Sequence, residues 1–279
     1  MRACVTDVVD DSFDGVCSRN RRMLHGDKGN DADFLDKVKQ QLAADGTLRI
    51  GISLSNKLLV SDRDNVTGQP QGLSPDLGRA IAKSLNVPCE FVSFKGPGEL
   101  LDGKSSWDIG NFANQPERAK KLHFSPPYCR IPASLLLRMG EGRVTSPRCS
   151  DYDRRDRRIL TKARSAYCLW LEDHFENAEL VKKSSFSEAS CAFVEDDTFD
   201  ALSGLIPSLR DLRKRIPGSI VIETPFTYIE QCVACKKGVP EAQEYLKQFI
   251  YSMRRSGLVD KLIRKHGLQG FLRSAGHVE

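Results

Sequence analysis

The amino-acid sequence predicts an α/β fold built as two lobes. Near the amino end, the strand-like runs LRIGISL (48–54) and CEFVSF (89–94) flank an amphipathic helix, which makes a strand-helix-strand unit. Strand and helix periodicities alternate again in a second block after residue 156. The chain has 279 residues, more than one compact core usually holds. These observations indicate two α/β blocks joined by extended segments, with a cleft for a small ligand between them.

The first block begins with a predicted helix over DFLDKVKQQ (33–41), and the polar stretch 61–72 predicts a hairpin or loop. In the next helix we expect Ser74 to cap, Pro75 to occupy the first turn, and one face to be apolar through Leu77, Ile81 and Leu85. The remaining elements are a short helix at 98–102, strand WDIGNF (107–112), helix PERAKKL (116–122) and strand PASLLLR (132–138).

The second block and the carboxyl end continue the alternation of strands and helices. Predicted strands are RILT (158–161), ELVKK (179–183), TFDAL (198–202), SIVIET (219–224) and FTYIEQCVACKKG (226–238). Predicted helices are SAYCLWLEDHF (165–175), SFSEASCAF (185–193), PSLRDLRKRI (207–216), and two that close on glycine, 241–257 and 258–267.

The composition is that of a globular protein without a nucleic-acid partner. Hydrophobic residues make up 40% of the chain, charged residues 28%, and the formal net charge is only +5. The most basic stretch, DRRDRR (153–158), is interleaved with aspartates and has no aromatic stacking platform, so we expect a solvated loop. No window approaches the roughly eighteen apolar residues that span a bilayer.

The first thirty residues predict no structural element. A secretory signal needs a basic start and an apolar core, whereas MRACVTDVVDDSFDGVC (1–17) is interrupted by acids from Asp7 onward. Residues 1–30 also lack helical or strand periodicity. We therefore predict no export signal, a disordered or misassigned leader over 1–30, and an ordered fold that starts near residue 31.

Nine cysteines are an odd count with scattered spacing, which predicts free thiols rather than a disulfide framework. Cys232 and Cys235 form a CxxC pair with no second Cys or His pair at ligand spacing. They lie in a strand-like run, where positions three apart face opposite sides, so we expect a structural role rather than a zinc site. No metal or organic cofactor is implied.

Six segments share an order and spacing with one known family. They are LRIGIS (48–53), GLSPDLGRAIAKSLNVP (72–88), WDIGNFANQPERAKKLHFSPPY (107–128), SAYCLWLEDHFENAELV (165–181), KKG (236–238) and SGLVDKLIRKHGLQGF (256–271). The pattern resembles the family-3 extracellular solute-binding proteins, which have the type II periplasmic-binding-protein fold and serve amino-acid ABC transporters. The resemblance implies lobe 1 over 31–137 plus 226–279, lobe 2 over 138–225, and a two-segment hinge near Leu137 and Pro225.

The resemblance also implies that the turn before PERAKKL lines the cleft and that Arg118 binds the ligand's carboxylate. A guanidinium offers a planar fork that matches a carboxylate, and a helix amino terminus adds N–H groups and a favourable dipole. The alternative is a surface arginine that pairs with Glu117 or lies on a solvated helix face.

Further pocket residues are implied at the ends of strands in the first lobe. Asn56 follows the first strand, while Asn111 and Asn114 belong to the end of WDIGNF and the turn after it. Phe94 or Lys95 would line the pocket wall. As alternatives, asparagines beside turns bond their own backbone, and a phenylalanine at a strand end packs in the core.

On the second lobe, the family uses a glycine-threonine pair at a helix amino terminus to hold the ligand's anionic end. Here Ser165 keeps the hydroxyl, and Arg164 replaces the glycine, which adds positive charge to the cleft or fills it. Leu205 stands at or near the position of the acid that pairs with an α-ammonium, unless an aspartate substitutes: Asp196, Asp197 or Asp200. This departure from the family pattern favours a carboxylate without an amine, or a degenerate site.

The resemblance thus implies a monomeric binder of a small anionic, amino-acid-like solute, periplasmic or extracellular, that delivers its ligand to an ABC permease in the membrane. One alternative is an enzyme similar to cyclohexadienyl dehydratase, with an acid or base among Glu195, Asp196 and Asp197. His123 fits a packing role better than a base, and no catalytic constellation is identified. The other alternative is a non-transport binding or interaction module.

Overall fold

The protein is described by a computed structural model that covers residues 30–138 and 147–276. The expected leader lies outside these residues, apart from Asn30. The chain divides into two compact units: unit 1 reaches to Cys129 and resumes at Glu230, and unit 2 is Arg130–Ile229. The lobe boundaries drawn from the sequence, after residues 137 and 225, stay a prediction.

Helices and strands alternate along the chain. The strands are β1 (Leu48–Ser53), β2 (Asp62–Arg63), β3 (Pro70–Gln71), β4 (Cys89–Phe94), β5 (Ile109–Ala113), β6 (Leu122–Phe124), β7 (Cys129–Leu137), β8 (Arg158–Lys162), β9 (Glu179–Lys183), β10 (Ala201–Leu205), β11 (Ile220–Val221), β12 (Thr227–Lys236) and β13 (Arg273–Ser274). The helices are α1 (Asn30–Leu42), α2 (Leu73–Leu85), α3 (Pro97–Asp102), α4 (Pro116–Ala119), α5 (Ala166–His174), α6 (Phe186–Glu195), α7 (Ile206–Arg213), α8 (Pro240–Arg255) and α9 (Leu258–Lys265).

Unit 1 is built around three parallel strands. β1 lies between β4 and β5 and runs parallel to both. β12 lies antiparallel beside β5, so that Val233 is opposite Asn111. α2 packs on β1, and its apolar stripe of Leu77, Ile81 and Leu85 is buried as the periodicity predicts. The predicted strand-helix-strand unit is therefore confirmed.

Two local predictions in unit 1 are wrong. Ser74 does not cap α2, because the helix begins at Leu73 after Gly72 and the buried Ser74 hydroxyl is 3.1 Å from the hydroxyl of Tyr128. The helix predicted over PERAKKL is only the four-residue α4, since the buried Leu122 already belongs to β6. One turn is too short to contribute the helix dipole that the sequence argument assigned to it.

A buried apolar cluster supports β5 and the turn that follows it. Its buried members are Leu100, Trp107, Phe112, Leu122 and Ala234, here called the Trp107 cluster. Trp107 is fully buried, and its indole nitrogen donates a hydrogen bond to the carbonyl of Leu100 at 2.8 Å. The rings of Trp107 and Phe112 have centroids 5.8 Å apart.

A buried carboxylate, Asp76 in the first turn of α2, joins α2 to the carboxyl end of the chain. One Asp76 oxygen accepts hydrogen bonds from Lys265 at 2.8 Å and from His266 at 2.9 Å. The other accepts from Arg79 at 2.9 Å. Burial alone would raise the pKa of Asp76, but the hydrogen bonds from His266 and Lys265 outweigh it and hold the pKa below its usual value.

Unit 2 is a mixed sheet with helices on its faces. β8 runs parallel to β9 and to β10, while β10 and β11 run antiparallel to β7. α6 and α7 pack on one face, where a buried cluster includes Leu160, Phe193 and Leu209. β10 begins at Ala201 rather than at Thr198, the start of the predicted strand.

No helix in the described ranges is long and apolar enough to cross a membrane. The cysteines in these ranges are free thiols: Cys89, Cys129, Cys149, Cys168, Cys191, Cys232 and Cys235. Cys232 and Cys235 lie buried on β12, and burial raises the pKa of each to about 12. They are therefore protonated and unreactive at neutral pH, which fits the structural role expected of them.

Candidate functional site

The residues expected to line the site in unit 1 meet at one edge of its sheet. The parallel strands β1, β4 and β5 end there, and ligands of open α/β sheets bind at the carboxyl ends of parallel strands. Of the sequence-predicted residues, Phe94 ends β4, Asn111 lies two residues before the end of β5, and three follow the ends of β1 or β5: Asn56, Asn114 and Arg118. All five therefore lie at or within two residues of this edge, and their contact with a ligand stays a prediction.

Arg118 lies on α4, and its charge has no acidic partner among the residues that the structure describes. Its Nη1 donates a hydrogen bond to the carbonyl of Ala113 at 3.1 Å, and its guanidinium lies 5.7 Å from the centroid of the Phe112 ring. No carboxylate in the described ranges forms an ion pair with it, because Glu117 pairs with Lys120 at 2.7 Å. Burial lowers the pKa of Arg118, but an arginine stays charged at neutral pH.

Asn111 adds a polar group that the fold leaves unsatisfied. Both its side-chain oxygen and nitrogen are buried, and neither has a hydrogen-bond partner within the described residues. An unpaired buried amide costs about 1–3 kcal/mol, so such a group calls for a bound water or ligand. Together, Arg118 and Asn111 provide a charged donor and an amide that can both donate and accept.

The other three residues of this edge differ in what surrounds them. The Asn56 carbonyl accepts hydrogen bonds from the amides of Leu59 and Val60, so its backbone shapes the turn after β1. Asn114 is exposed. Phe94 packs against the Trp107 cluster, which fits the core alternative for this side chain.

In unit 2, Ser165 is the capping residue of α5. Its hydroxyl accepts a hydrogen bond from the amide of Cys168 at 3.1 Å and donates one to the carbonyl of Lys162 at 2.8 Å. A serine hydroxyl has a single proton, so Ser165 cannot also donate to an anion while it holds this geometry. A ligand contact by Ser165 stays a prediction.

Arg164 is exposed and has a left-handed backbone, with φ of 57°. This conformation costs a residue with a side chain about 1–2 kcal/mol, whereas glycine adopts it freely. The strain identifies a position that favours glycine, the residue that the resemblance implies here.

Replacing Arg164 with glycine is expected to stabilise the protein by about 0.5 kcal/mol, because relief of strain exceeds the added entropy of the unfolded chain. Arg164→Asn, which also tolerates this conformation, is the matched control for the loss of charge. Urea unfolding of both variants checks this, and a destabilised Arg164→Gly variant would contradict it.

The aspartates considered as substitutes for Leu205 lie at the wrong end of unit 2. Asp200 forms an ion pair with Arg157 and accepts a hydrogen bond from the backbone amide of Arg158. These contacts lie at the amino ends of β10 and β8. Leu205 ends β10, and five residues of strand span roughly 16 Å. Asp196 and Asp197 precede Asp200 at the same amino end. None of the three therefore stands in for the acid at the Leu205 position.

Sequence reasoning missed two lysines at the carboxyl edge of unit 2. Lys162 ends β8 and Lys183 ends β9, and the two are paired in register. Each closes an apolar run, RILTK or ELVKK, which is the signal that could have suggested them. Within the described ranges, no group of His, Cys, Asp and Glu side chains could hold a metal ion.

The profile of the bacterial extracellular solute-binding proteins, family 3, matches residues 48–269. The chain belongs to this family. The match confirms the resemblance seen in the sequence, and the two-lobed type II periplasmic-binding-protein fold is confirmed by solved structures. The matched residues include all of unit 2 and most of unit 1.

Solved structures similar to this family-3 chain include amino-acid-binding proteins. The ancestral cationic amino acid solute-binding protein AncCDT-1 is 25% identical, covers 83% of this chain and 98% of its own, and has a TM-score of 0.59. AbpA of Streptococcus pneumoniae, an amino acid ABC transporter substrate-binding protein bound to L-arginine, is 20% identical. The similarity covers 82% of this chain and 98% of AbpA, with a TM-score of 0.60.

Part of the chain is also similar to an enzyme. The membrane-bound lytic murein transglycosylase F of Maricaulis maris (strain MCS10) is 32% identical over 81 residues. The matched stretch is 28% of this family-3 chain but only 18% of that enzyme, so this chain spans a small part of its length.

Proposed function

We propose that the chain binds a small solute through a carboxylate group, as the substrate-binding component of an ABC-type transporter. The observation that carries this is the Arg118 guanidinium, partly buried at the carboxyl edge of unit 1 and without an acidic partner in the described ranges. A desolvated guanidinium without a counter-ion favours an anion that binds through two parallel hydrogen bonds. The buried, unsatisfied Asn111 amide at the same edge supports a polar ligand there.

The solute is proposed to be anionic rather than a cationic amino acid such as the ligand of AbpA. Leu205 offers no charge to an ammonium group, and the nearby aspartates lie at the opposite end of β10. The protein would work in the periplasm or outside the cell, as a monomer, and its macromolecular partner would be a membrane permease.

A dehydratase-like activity is the second candidate, because AncCDT-1 is described as a precursor of cyclohexadienyl dehydratase. The acids considered for such chemistry are Glu195, the last residue of α6, and Asp196 and Asp197, which follow it before β10 begins. Hydrogen bonds from Thr198 hold the pKa of Asp196 below its usual value, which does not suit a general acid. Turnover of prephenate or arogenate by the purified protein would establish this alternative.

The proposed function is tested by thermal-shift and calorimetric titration of wild type, Arg118→Gln and Lys120→Gln with amino acids, monocarboxylates, dicarboxylates and keto acids. A ligand at a hundredfold excess over its Kd adds about 2.7 kcal/mol of stability. We expect a carboxylate to stabilise wild type and Lys120→Gln, but to bind Arg118→Gln about a hundredfold more weakly, because a buried charged hydrogen bond is lost.

Lys120 is the matched control, since it is an exposed cation two residues from Arg118 and already pairs with Glu117. Arg118→Lys keeps the charge without the planar fork and should bind with intermediate affinity. A ligand that binds all four proteins equally would refute the role of Arg118. No shift with any compound would instead favour a non-transport interaction module.

A further inference from the structure

Two buried hydroxyl groups lie on neighbouring strands in the core of unit 2. Thr161 is on β8 and Ser203 is on β10, and both residues are fully buried. Neither hydroxyl has a hydrogen-bond partner among the residues that the structure describes. A buried hydroxyl without a partner destabilises the folded state, so native proteins usually satisfy such a group with a bound water or ligand. Two of them in one core therefore point to a bound molecule.

Both hydroxyls lie on the face of the sheet that α5 covers. β8 and β10 are parallel, and Leu160 is the register partner of Leu202. These two leucines belong to the cluster that packs under α6, so the residues that follow them, Thr161 and Ser203, project from the opposite face. On that face Lys182 of β9, the register partner of Thr161, forms an ion pair with α5.

The spacing of the two hydroxyls suits a bridging water molecule. Continued by one residue, the register places Thr161 directly beside Ser203, at the roughly 4.8 Å that separates neighbouring strands. The two hydroxyls do not form a hydrogen bond with each other. One water between them can bond to both, because two hydrogen bonds of about 2.8 Å cover this distance with a bend at the water oxygen.

A third polar group at this place comes from α5. Cys168 is fully buried in the first turn of that helix. Burial raises the pKa of its thiol, and the Thr161 hydroxyl is close enough to offset this rise in part. A thiol is only a weak donor and acceptor, so it does not satisfy the hydroxyl, but it can be a further partner for a water. A buried water makes about three hydrogen bonds, and three polar groups meet here.

We propose that Thr161, Ser203 and Cys168 form a buried hydration site, in which one water molecule links β8, β10 and the first turn of α5. The water supplies the hydrogen bonds that the protein itself does not give to the two hydroxyls, and it holds α5 against the sheet. The hydration site lies within the core of unit 2, so it does not depend on the proposed function of Arg118.

A double-mutant cycle with Thr161→Val and Ser203→Ala distinguishes a hydrated core from an unhydrated one. If the water is present, each single change removes one of its partners, and the melting temperature should fall by about 2–4 °C. The double variant T161V/S203A removes both hydroxyls together with the water, so its loss should be clearly smaller than the sum of the single losses. If the hydroxyls are unhydrated and unpaired, each single change should instead raise the melting temperature, which would overturn the proposal.

Ser134→Ala is the matched control, because Ser134 is also fully buried but donates a hydrogen bond to the carbonyl of Ile222 at 2.6 Å. Its effect should add to that of Thr161→Val without coupling. A crystal structure of the wild-type protein, at a resolution that shows ordered waters, gives the direct readout. We expect one water within about 3.2 Å of both hydroxyl oxygens. Additive losses in the cycle, or a crystal structure without a water between the two hydroxyls, would also overturn the hydration site.

Discussion

Replacing Trp107 with alanine is expected to destabilise the protein by about 4 kcal/mol. The indole is fully buried in the Trp107 cluster, and removing a buried aromatic ring loses its transfer free energy and leaves a cavity. The change also leaves the carbonyl of Leu100 without its indole donor. Urea unfolding followed by circular dichroism measures the loss, and a difference below about 1 kcal/mol would contradict the packing described.

Trp107→Phe is the matched control, because it keeps a ring against Phe112 and removes only the indole nitrogen and part of the volume. We expect it to cost less than half as much as the alanine change. Since Phe112 also lies beneath the Arg118 guanidinium, the alanine variant should bind carboxylates more weakly than the phenylalanine variant.

Replacing Asp76 with asparagine is expected to cost about 2–3 kcal/mol at pH 7. The side chain keeps its shape, but Lys265, His266 and Arg79 lose the buried charge that they surround. Guanidinium unfolding at fixed ionic strength checks the loss. The control is Asp211→Asn, which removes an exposed carboxylate paired with Lys214 and should change stability by less than about 0.5 kcal/mol.

The effect of Asp76 should depend on pH in a defined direction. The folded protein lowers the pKa of Asp76, so this carboxylate contributes stability above its unfolded pKa of about 3.9, and the contribution is lost as pH falls through the folded pKa. The difference in free energy of unfolding between wild type and Asp76→Asn should therefore have its full size at pH 6–7 and become smaller below about pH 4. A gap that stays constant down to pH 3 would show that the charge is not responsible.

Sequence periodicity predicted the elements whose structure depends on local pattern. α2 shows a 3.6-residue apolar stripe, and Leu77, Ile81 and Leu85 are buried as predicted. The pattern failed at PERAKKL, because Leu122 has a helical spacing but is drawn into β6 by the Trp107 cluster. Ser74 failed as a cap for a similar reason, since its hydroxyl is engaged by Tyr128, far away in the sequence.

The parts of the candidate site that belong to a sequence motif could be predicted, whereas the parts that depend on packing and strand pairing could not. Arg118 stands in a recognisable segment, so its place at the carboxyl edge could be anticipated. The unsatisfied amide of Asn111 depends on how β5 is packed, which one strand's sequence does not contain. The pairing of Lys162 with Lys183 depends on the register between β8 and β9, which are separated by α5, and parallel register is a non-local property.

The split of unit 1 along the chain fixes an order in which its parts become available during synthesis. When the ribosome has made the chain only as far as Ile229, β5 lacks most of its β12 partner, including Val233 opposite Asn111. At that stage Asp76 also lacks its hydrogen-bond donors Lys265 and His266. Gln41 lacks the backbone amide of Ala242, from which its side-chain oxygen accepts a hydrogen bond in the folded protein. Unit 2 is a continuous segment and is complete by then. Unit 1 therefore remains unfinished until the segment that begins at Glu230 emerges, an interval in which a nascent chain is open to chaperones.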